Sequence, residues 1–153
     1  ADLDWMVGDW VLSIDGQDAG GAPAMEMRVR WDAGGSFLVR DASVPVSGGS
    51  APAGETIEVH QRIGWDPLVK RIRGWSFATD GSRGEATWLR DGDSWVALQT
   101  AVLPDGRQET STSIYSYDGG DRCVWRTLPD SLTPIQGLPA RATWIRKPGS
   151  NTK

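Results

Sequence analysis

Nine tryptophans are spread along 153 residues, and their spacing constrains the fold more than any other feature of the sequence. Eight of them fall in separate short runs of alternating apolar and polar residues: Trp10, Trp31, Trp65, Trp75, Trp88, Trp95, Trp125 and Trp144. A period of two is typical of half-buried β-strands, and the Gly, Asp and Pro residues between the runs are typical of turns. One large aromatic residue per strand predicts a single all-β domain with one shared core.

The expected strands follow one another at hairpin spacing. They lie at about 10–15, 24–32, 36–45, 55–65, 70–79, 84–90, 94–103, 107–117, 122–128 and 140–146, after a short helical turn at 3–7. Because nearly all links are tight, the pattern favours one antiparallel up-and-down β-barrel of about ten strands. A β-sandwich is the alternative, but it requires longer crossovers between its sheets. We expect the barrel to span residues 1–148, with a disordered tail at 149–153.

Turn residues predict the register of two hairpins. Asp91-Gly92 is expected to form a two-residue type I′ turn, which would place Trp88 opposite Trp95. A four-residue loop at 66–69 would place Arg62 opposite Arg73 and His60 opposite Trp75. Two longer links interrupt the hairpins, a flexible loop at 46–54 and a Pro-rich connection at 129–139.

Charge and composition argue against several classes of partner. The net charge is −4 and the isoelectric point is near 4.9, which disfavours nucleic acid and anionic membrane surfaces. Cys123 is the only cysteine, so an internal disulfide cannot form. The sequence shows neither an apolar stretch of transmembrane length nor a signal peptide, and we expect a cytoplasmic bacterial protein, with secretion as the alternative.

Gly8-Asp9-Trp10 stands at the start of the first strand, after the helical turn, and the segments 5–10, 62–67 and 88–95 carry further motifs. In these motifs the chain resembles a bacterial lipocalin-like domain family of unknown function, within the calycins. In related proteins such a domain can follow a SnoaL-like domain. The resemblance implies that Trp10 closes one end of the barrel, and that Arg146 or Arg141 packs across it. The family brings no established catalytic residues.

Two strands carry a polar face whose environment the sequence leaves open. Glu58, His60 and Arg62 alternate with apolar residues, and Arg73 and Trp75 follow in the next strand. This face is either solvated, with its aromatic residues covered by a loop or partner, or turned into a polar cavity where Arg62 and Arg73 bind an anion.

The later hairpins are two-sided as well. Trp88, Trp95 and Tyr115 share one face with smaller residues, and Leu89 and Ile114 lie on the other. A half-polar lining that holds a ligand and a half-apolar exterior that holds a subunit would both produce this pattern.

Chemical motifs are scarce. A serine nucleophile needs a nearby base, and His60 is the only histidine. One His and one Cys on distant strands do not form a metal site, so we expect neither metal nor cofactor; haem ligated by His60 is a remote alternative.

The leading hypothesis is a barrel that binds a small hydrophobic or carboxylate ligand. Its expected ligand-binding residues are Arg62, Arg73, Trp75, Trp88, Trp95 and Tyr115. The first alternative is an enzyme that uses its cavity for proton transfer or cyclisation, with His60 as the catalytic base. The second alternative is an interaction domain that forms a homodimer through an aromatic outer face.

Overall fold

A computed structural model describes residues 2–13, 25–45, 55–128 and 141–150. The predicted flexible loop and Pro-rich connection lie outside these residues. Ten strands are present: β1 (Gly8–Ser13), β2 (Glu26–Trp31), β3 (Phe37–Pro45), β4 (Thr56–Asp66), β5 (Arg71–Ala78), β6 (Arg83–Asp91), β7 (Ser94–Val102), β8 (Gln108–Tyr117), β9 (Arg122–Thr127) and β10 (Arg141–Arg146). Helical structure in the described residues is a single 3-10 turn at Asp4–Met6.

The strands form one closed antiparallel barrel in which sequential strands are neighbours and β10 pairs with β1. Closure pairs both edges of every strand, so the barrel leaves no open sheet edge. This confirms the predicted all-β up-and-down barrel and rules out the sandwich. Each predicted strand is present, with its ends shifted by one or two residues where the structure describes them.

Alternation along the strands separates an apolar interior from a charged exterior. The inward residues near the start of β1 form a dense core. Four residues of this core are at most 1% exposed: Trp10, Leu38, Ile63 and Ala97. We call the enclosed space the lumen. Its end beside the 3-10 turn is the floor, and the opposite end is the rim.

The floor is built around Trp10, as the resemblance implied. The Trp10 Nε1 donates a hydrogen bond to the Met6 carbonyl at 2.8 Å, which ties the 3-10 turn across the barrel end. Arg146, rather than Arg141, packs across the indole, with its guanidinium carbon 4.4 Å from the ring centroid. It also donates a hydrogen bond to the Trp5 carbonyl at 2.6 Å.

The predicted register of the β6–β7 hairpin is wrong, because the turn lies one residue later in the sequence than predicted. Asp91 pairs with Ser94, so the two turn residues are Gly92 and Asp93. Gly92 has φ of +56° while Asp93 does not have positive φ, which fits a type II′ turn rather than type I′. Trp88 consequently lies opposite Ala97, not Trp95.

The predicted register of the β4–β5 hairpin is also wrong. Asp66 remains in the strand and pairs with Arg71, because its carboxylate accepts the Leu68 N–H at 2.9 Å and organises the turn. Arg62 therefore lies opposite Trp75 rather than Arg73, and His60 lies opposite Phe77 rather than Trp75. The shift is by two residues, so every side chain keeps its predicted face.

Two residues assigned to the disordered tail are held to the barrel. The Ser150 hydroxyl accepts the Asp9 N–H at 3.0 Å and donates to the Lys147 carbonyl at 2.7 Å. The ordered chain thus extends at least to Ser150, and residues 151–153 lie outside the described residues.

Candidate functional site

The six predicted ligand-binding residues do not form one site. Trp88, Trp95 and Tyr115 point into the lumen and are 2%, 6% and 3% exposed. The other three lie on the outer face of the barrel: Arg62, Arg73 and Trp75. Of the two environments considered for this face, the structure therefore has the solvated one.

Two of the outer three contact other side chains. Arg73 pairs with Glu85 at 2.6 Å, and Trp75 contacts Phe37 edge-on at 6.4 Å between ring centroids. Arg62 is exposed. Any ligand held by these residues would lie on the outer surface, away from the inward aromatic residues.

His60 also lies outside the lumen. Its side chain is 60% exposed, and its Nδ1 lies 2.9 Å from the Asp41 carboxylate. Burial raises the pKa of Asp41, but hydrogen bonds with His60 and Arg30 outweigh it, and the net shift is downward. His60 is therefore positioned as one member of a surface charge network.

A further charged residue, Arg40, points into the lumen, and the sequence analysis did not select it. Arg40 lies on β3, and its Nη1 lies 3.4 Å from the hydroxyl of Tyr115 on β8. In the ring of ten strands, β3 and β8 are five positions apart in either direction. They stand on opposite walls, so the Arg40 side chain spans the lumen.

Within the part of the chain that the structure describes, Arg40 has no acidic partner. Among the described residues, its guanidinium makes a polar or ring contact with Tyr115 alone. It makes a long hydrogen bond to the hydroxyl and lies 5.8 Å from the centroid of the ring. Glu109 is the one inward-facing acid among the described strand residues, and no ion pair joins it to Arg40. A half-buried guanidinium without a counter-ion is a site that favours an anion.

Polar side chains continue from Arg40 around the lumen wall toward the rim. Arg40 pairs with Gln61 and Gln61 with Ser76 across β3, β4 and β5. Two strands further around the barrel from Ser76, Gln99 on β7 pairs with Ser111 on β8. We call these five half-buried residues the cup.

The amide and hydroxyl groups of the cup lack protein partners. Within the described residues, no hydrogen bond joins the side chains of Gln61, Ser76, Gln99 or Ser111 to another protein group. None of these groups is fully shielded from solvent either. Between Ser76 on β5 and Gln99 on β7, the strand β6 contributes the small residues Gly84 and Ala86, and the Ser76 hydroxyl packs against Gly84.

Below Arg40 the lumen is filled. The rings of Trp88 and Tyr115 lie 5.1 Å apart between centroids, and Leu38, Ile63 and Ala97 are completely buried. A ten-stranded barrel is wider than the eight-stranded barrels that side chains can just fill. A ligand at Arg40 would therefore have to enter from the rim side.

One buried donor faces this region without a partner. The Trp88 Nε1 is buried and makes no hydrogen bond. A Cβ at Gly74 would lie 3.2 Å from this nitrogen and 3.3 Å from the Gln61 Nε2. Both N–H donors thus lie close to Gly74, and the position is too tightly packed for a side chain.

A second recess, of about 280 Å³, lies on the outer face of β1 to β4. Its charges are already paired. Arg28 contacts Asp9 at 3.0 Å, Lys147 contacts Glu26 at 3.0 Å and Arg30 contacts Asp41 at 2.8 Å. A ligand would have to displace these pairs, so this recess is the weaker candidate.

Cys123 is not available as a nucleophile. Burial raises the pKa of its thiol from 9.0 to about 12, with the charge of Arg40 opposing that shift and Asp118 adding to it. The thiol stays protonated at neutral pH, and the reactive form of cysteine is the thiolate.

The sequence carried a signal for Arg40. In β3 it interrupts the inward series Leu38, Ala42 and Val44, and Gln61 similarly interrupts the inward series of β4. A polar residue in the apolar phase of a strand marks either a bulge or a polar lumen. Closure of the barrel, which brings β8 opposite β3, is what distinguishes the two.

Comparison with models of known protein families and with curated protein sequences gives no match. Across the described residues, no group of three or more His, Cys, Asp or Glu side chains could hold a metal ion. No helix in that part of the chain is long and apolar enough to cross a membrane.

Proposed function

We propose that the protein binds a small molecule with an anionic group, and that this group is held at Arg40 inside a lipocalin-like barrel. The observation that carries the proposal is the half-buried Arg40 guanidinium, which meets the Tyr115 hydroxyl across the lumen and has no acidic partner among the described residues. A carboxylate at this place would accept charge-assisted hydrogen bonds from the guanidinium. The proposal keeps the acidic ligand expected from the sequence and transfers its recognition from Arg62 and Arg73 to Arg40.

The two alternatives receive less support. An enzyme with His60 as base would need that side chain to reach the lumen, and it lies on the opposite side of the barrel wall. A homodimer would need a continuous apolar surface. The exposed apolar residues lie in separate places: Trp65, Leu68 and Val69 are at the β4–β5 turn, and Phe77 is near the other end of β5.

The test compares matched ligands and matched variants. Benzoate should raise the melting temperature of the protein more than benzyl alcohol, because only the acid pairs with Arg40. The variant Arg40→Met should lose that difference, since a hydrogen bond to a charged group contributes about 1.5–3 kcal/mol.

The control is the double variant Arg62→Met/Arg73→Met, which leaves the lumen intact and should retain the preference for the acid. Equal effects of acid and alcohol on the unaltered protein would refute the proposal. If the double variant loses the preference for the acid and Arg40→Met keeps it, the acid binds on the outer face instead.

A further inference from the structure

We infer that the ligand is a compact polar acid, which carries hydroxyl or carbonyl oxygens on its body, and that it binds with its acid group toward the floor. The inference rests on the proposed function, because it concerns the same lumenal site. It adds the chemical class and the orientation of the ligand.

The orientation follows from where the lumen is closed. Arg40 spans the lumen, and the residues beneath it, Leu38, Ile63 and Ala97, are 0% exposed. An acid group at Arg40 therefore has no space below it for a chain. The body of the ligand must extend toward the rim, along the arc of the wall that carries Gln61, Ser76, Gln99 and Ser111.

The chemical class follows from what this arc of the wall presents. Two amides and two hydroxyls face the body of the ligand, and none has a hydrogen-bond partner among the described residues. A fatty chain would remove water from these groups and return no hydrogen bond. A site built to hydrogen-bond its ligand discriminates strongly against an analogue without the matching groups.

The unpartnered donor at the bottom of the cup supports the same class. The Trp88 Nε1 is buried without a hydrogen bond, beside Gly74 and the Gln61 Nε2. A ligand oxygen that reached this nitrogen from the cup would accept a hydrogen bond from it. A hydrocarbon tail would leave Trp88 as the structure has it, buried and unpaired.

Calorimetric titration with four acids tests the inference. The probes are hexanoate and benzoate as apolar bodies, and gluconate and 3,4-dihydroxybenzoate as hydroxylated ones. We expect at least one hydroxylated acid to bind about 10-fold or more tightly than its apolar counterpart, since one net hydrogen bond corresponds to about 5-fold in affinity.

Two cup variants separate the ligand class from the acid site. Gln99→Leu and Ser111→Ala should each weaken binding of the hydroxylated acid about 5-fold, while benzoate binds as before or more tightly. The matched control is Thr100→Val, which changes the neighbouring outward residue of β7 and should alter neither affinity. Circular dichroism and melting temperature establish that each variant is folded. If one cup variant fails to fold, the other alone tests the inference.

The outcomes distinguish the two proposals. If hexanoate or benzoate binds as tightly as the hydroxylated acids and Arg40→Met weakens that binding, the inference of a polar ligand is overturned and the proposed function stands. If all four acids fail to bind, the proposed function fails and the inference fails with it.

Discussion

The substitution Arg146→Met tests how the floor of the barrel is held together. The Arg146 side chain is 5% exposed, and it donates a 2.6 Å hydrogen bond to the Trp5 carbonyl while its guanidinium stacks on Trp10. Loss of a hydrogen bond to a charged group costs about 1.5–3 kcal/mol, and a desolvated cation–π contact contributes about 0.5–2 kcal/mol. The contact with Asp121, a residue that is 71% exposed, adds little because solvent screens it.

One effect of the substitution opposes this loss of stability. Methionine removes a buried charge whose Nε has no partner, and the replacement of buried charges by apolar residues can be neutral or favourable. The Trp5 carbonyl nevertheless loses its donor, so we expect a net decrease of about 2–3 kcal/mol in the free energy of unfolding.

Urea unfolding followed by circular dichroism measures this change. The control Arg126→Met removes an exposed guanidinium from β9 and should stay within about 0.5 kcal/mol of the unaltered protein. A double-mutant cycle with Trp10→Phe isolates the coupling between the two side chains, which should be about 0.5–2 kcal/mol. An Arg146→Met variant as stable as the unaltered protein would refute the assignment of Arg146 as a stabilising closure.

Two further predictions concern a turn and a buried thiol. Asp66→Ala should lower the free energy of unfolding by about 0.5–1.5 kcal/mol in urea titrations, because the Leu68 N–H loses its acceptor, whereas Asp93→Ala should have little effect; equal effects would contradict the turn assignment. For Cys123, burial holds the folded pKa near 12 against 9.0, so ionisation of the unfolded thiol removes stability as pH rises above 9. The stability advantage of the unaltered protein over Cys123→Ala should shrink by at most about 1.4 kcal/mol per pH unit between pH 9 and 11, and a constant difference would show that the thiol is solvated.

Strand positions and faces were predictable from the sequence because both follow from alternation, which persists over whole strands. The inward placement of Trp88 and Tyr115 with Ala97 and Ser113 is an example. The registers of the two hairpins were not predictable, since each depends on one local choice. In one turn the Asp66 carboxylate caps the chain, and in the other Gly92 alone takes positive φ.

The candidate site was predictable only in part. Trp88, Trp95 and Tyr115 were placed on a common face, and the structure shows that this face is the lumen. Arg40 was missed because its significance depends on closure: a guanidinium on β3 acquires Tyr115 as a neighbour only when β8 stands across the lumen. Arg62 and Arg73 were predicted to bind an anion because the predicted register placed them directly opposite each other. In the structure, Arg62 lies opposite Trp75 and Arg73 opposite Gly64.

The most direct test of the central claim is a crystal structure of the protein grown with 3,4-dihydroxybenzoate. We expect the carboxylate within hydrogen-bond distance of the Arg40 guanidinium, in the lumen between β3 and β8. An acid bound only on the outer surface, beside Arg62 or Arg73, with water alone at Arg40, would contradict the account.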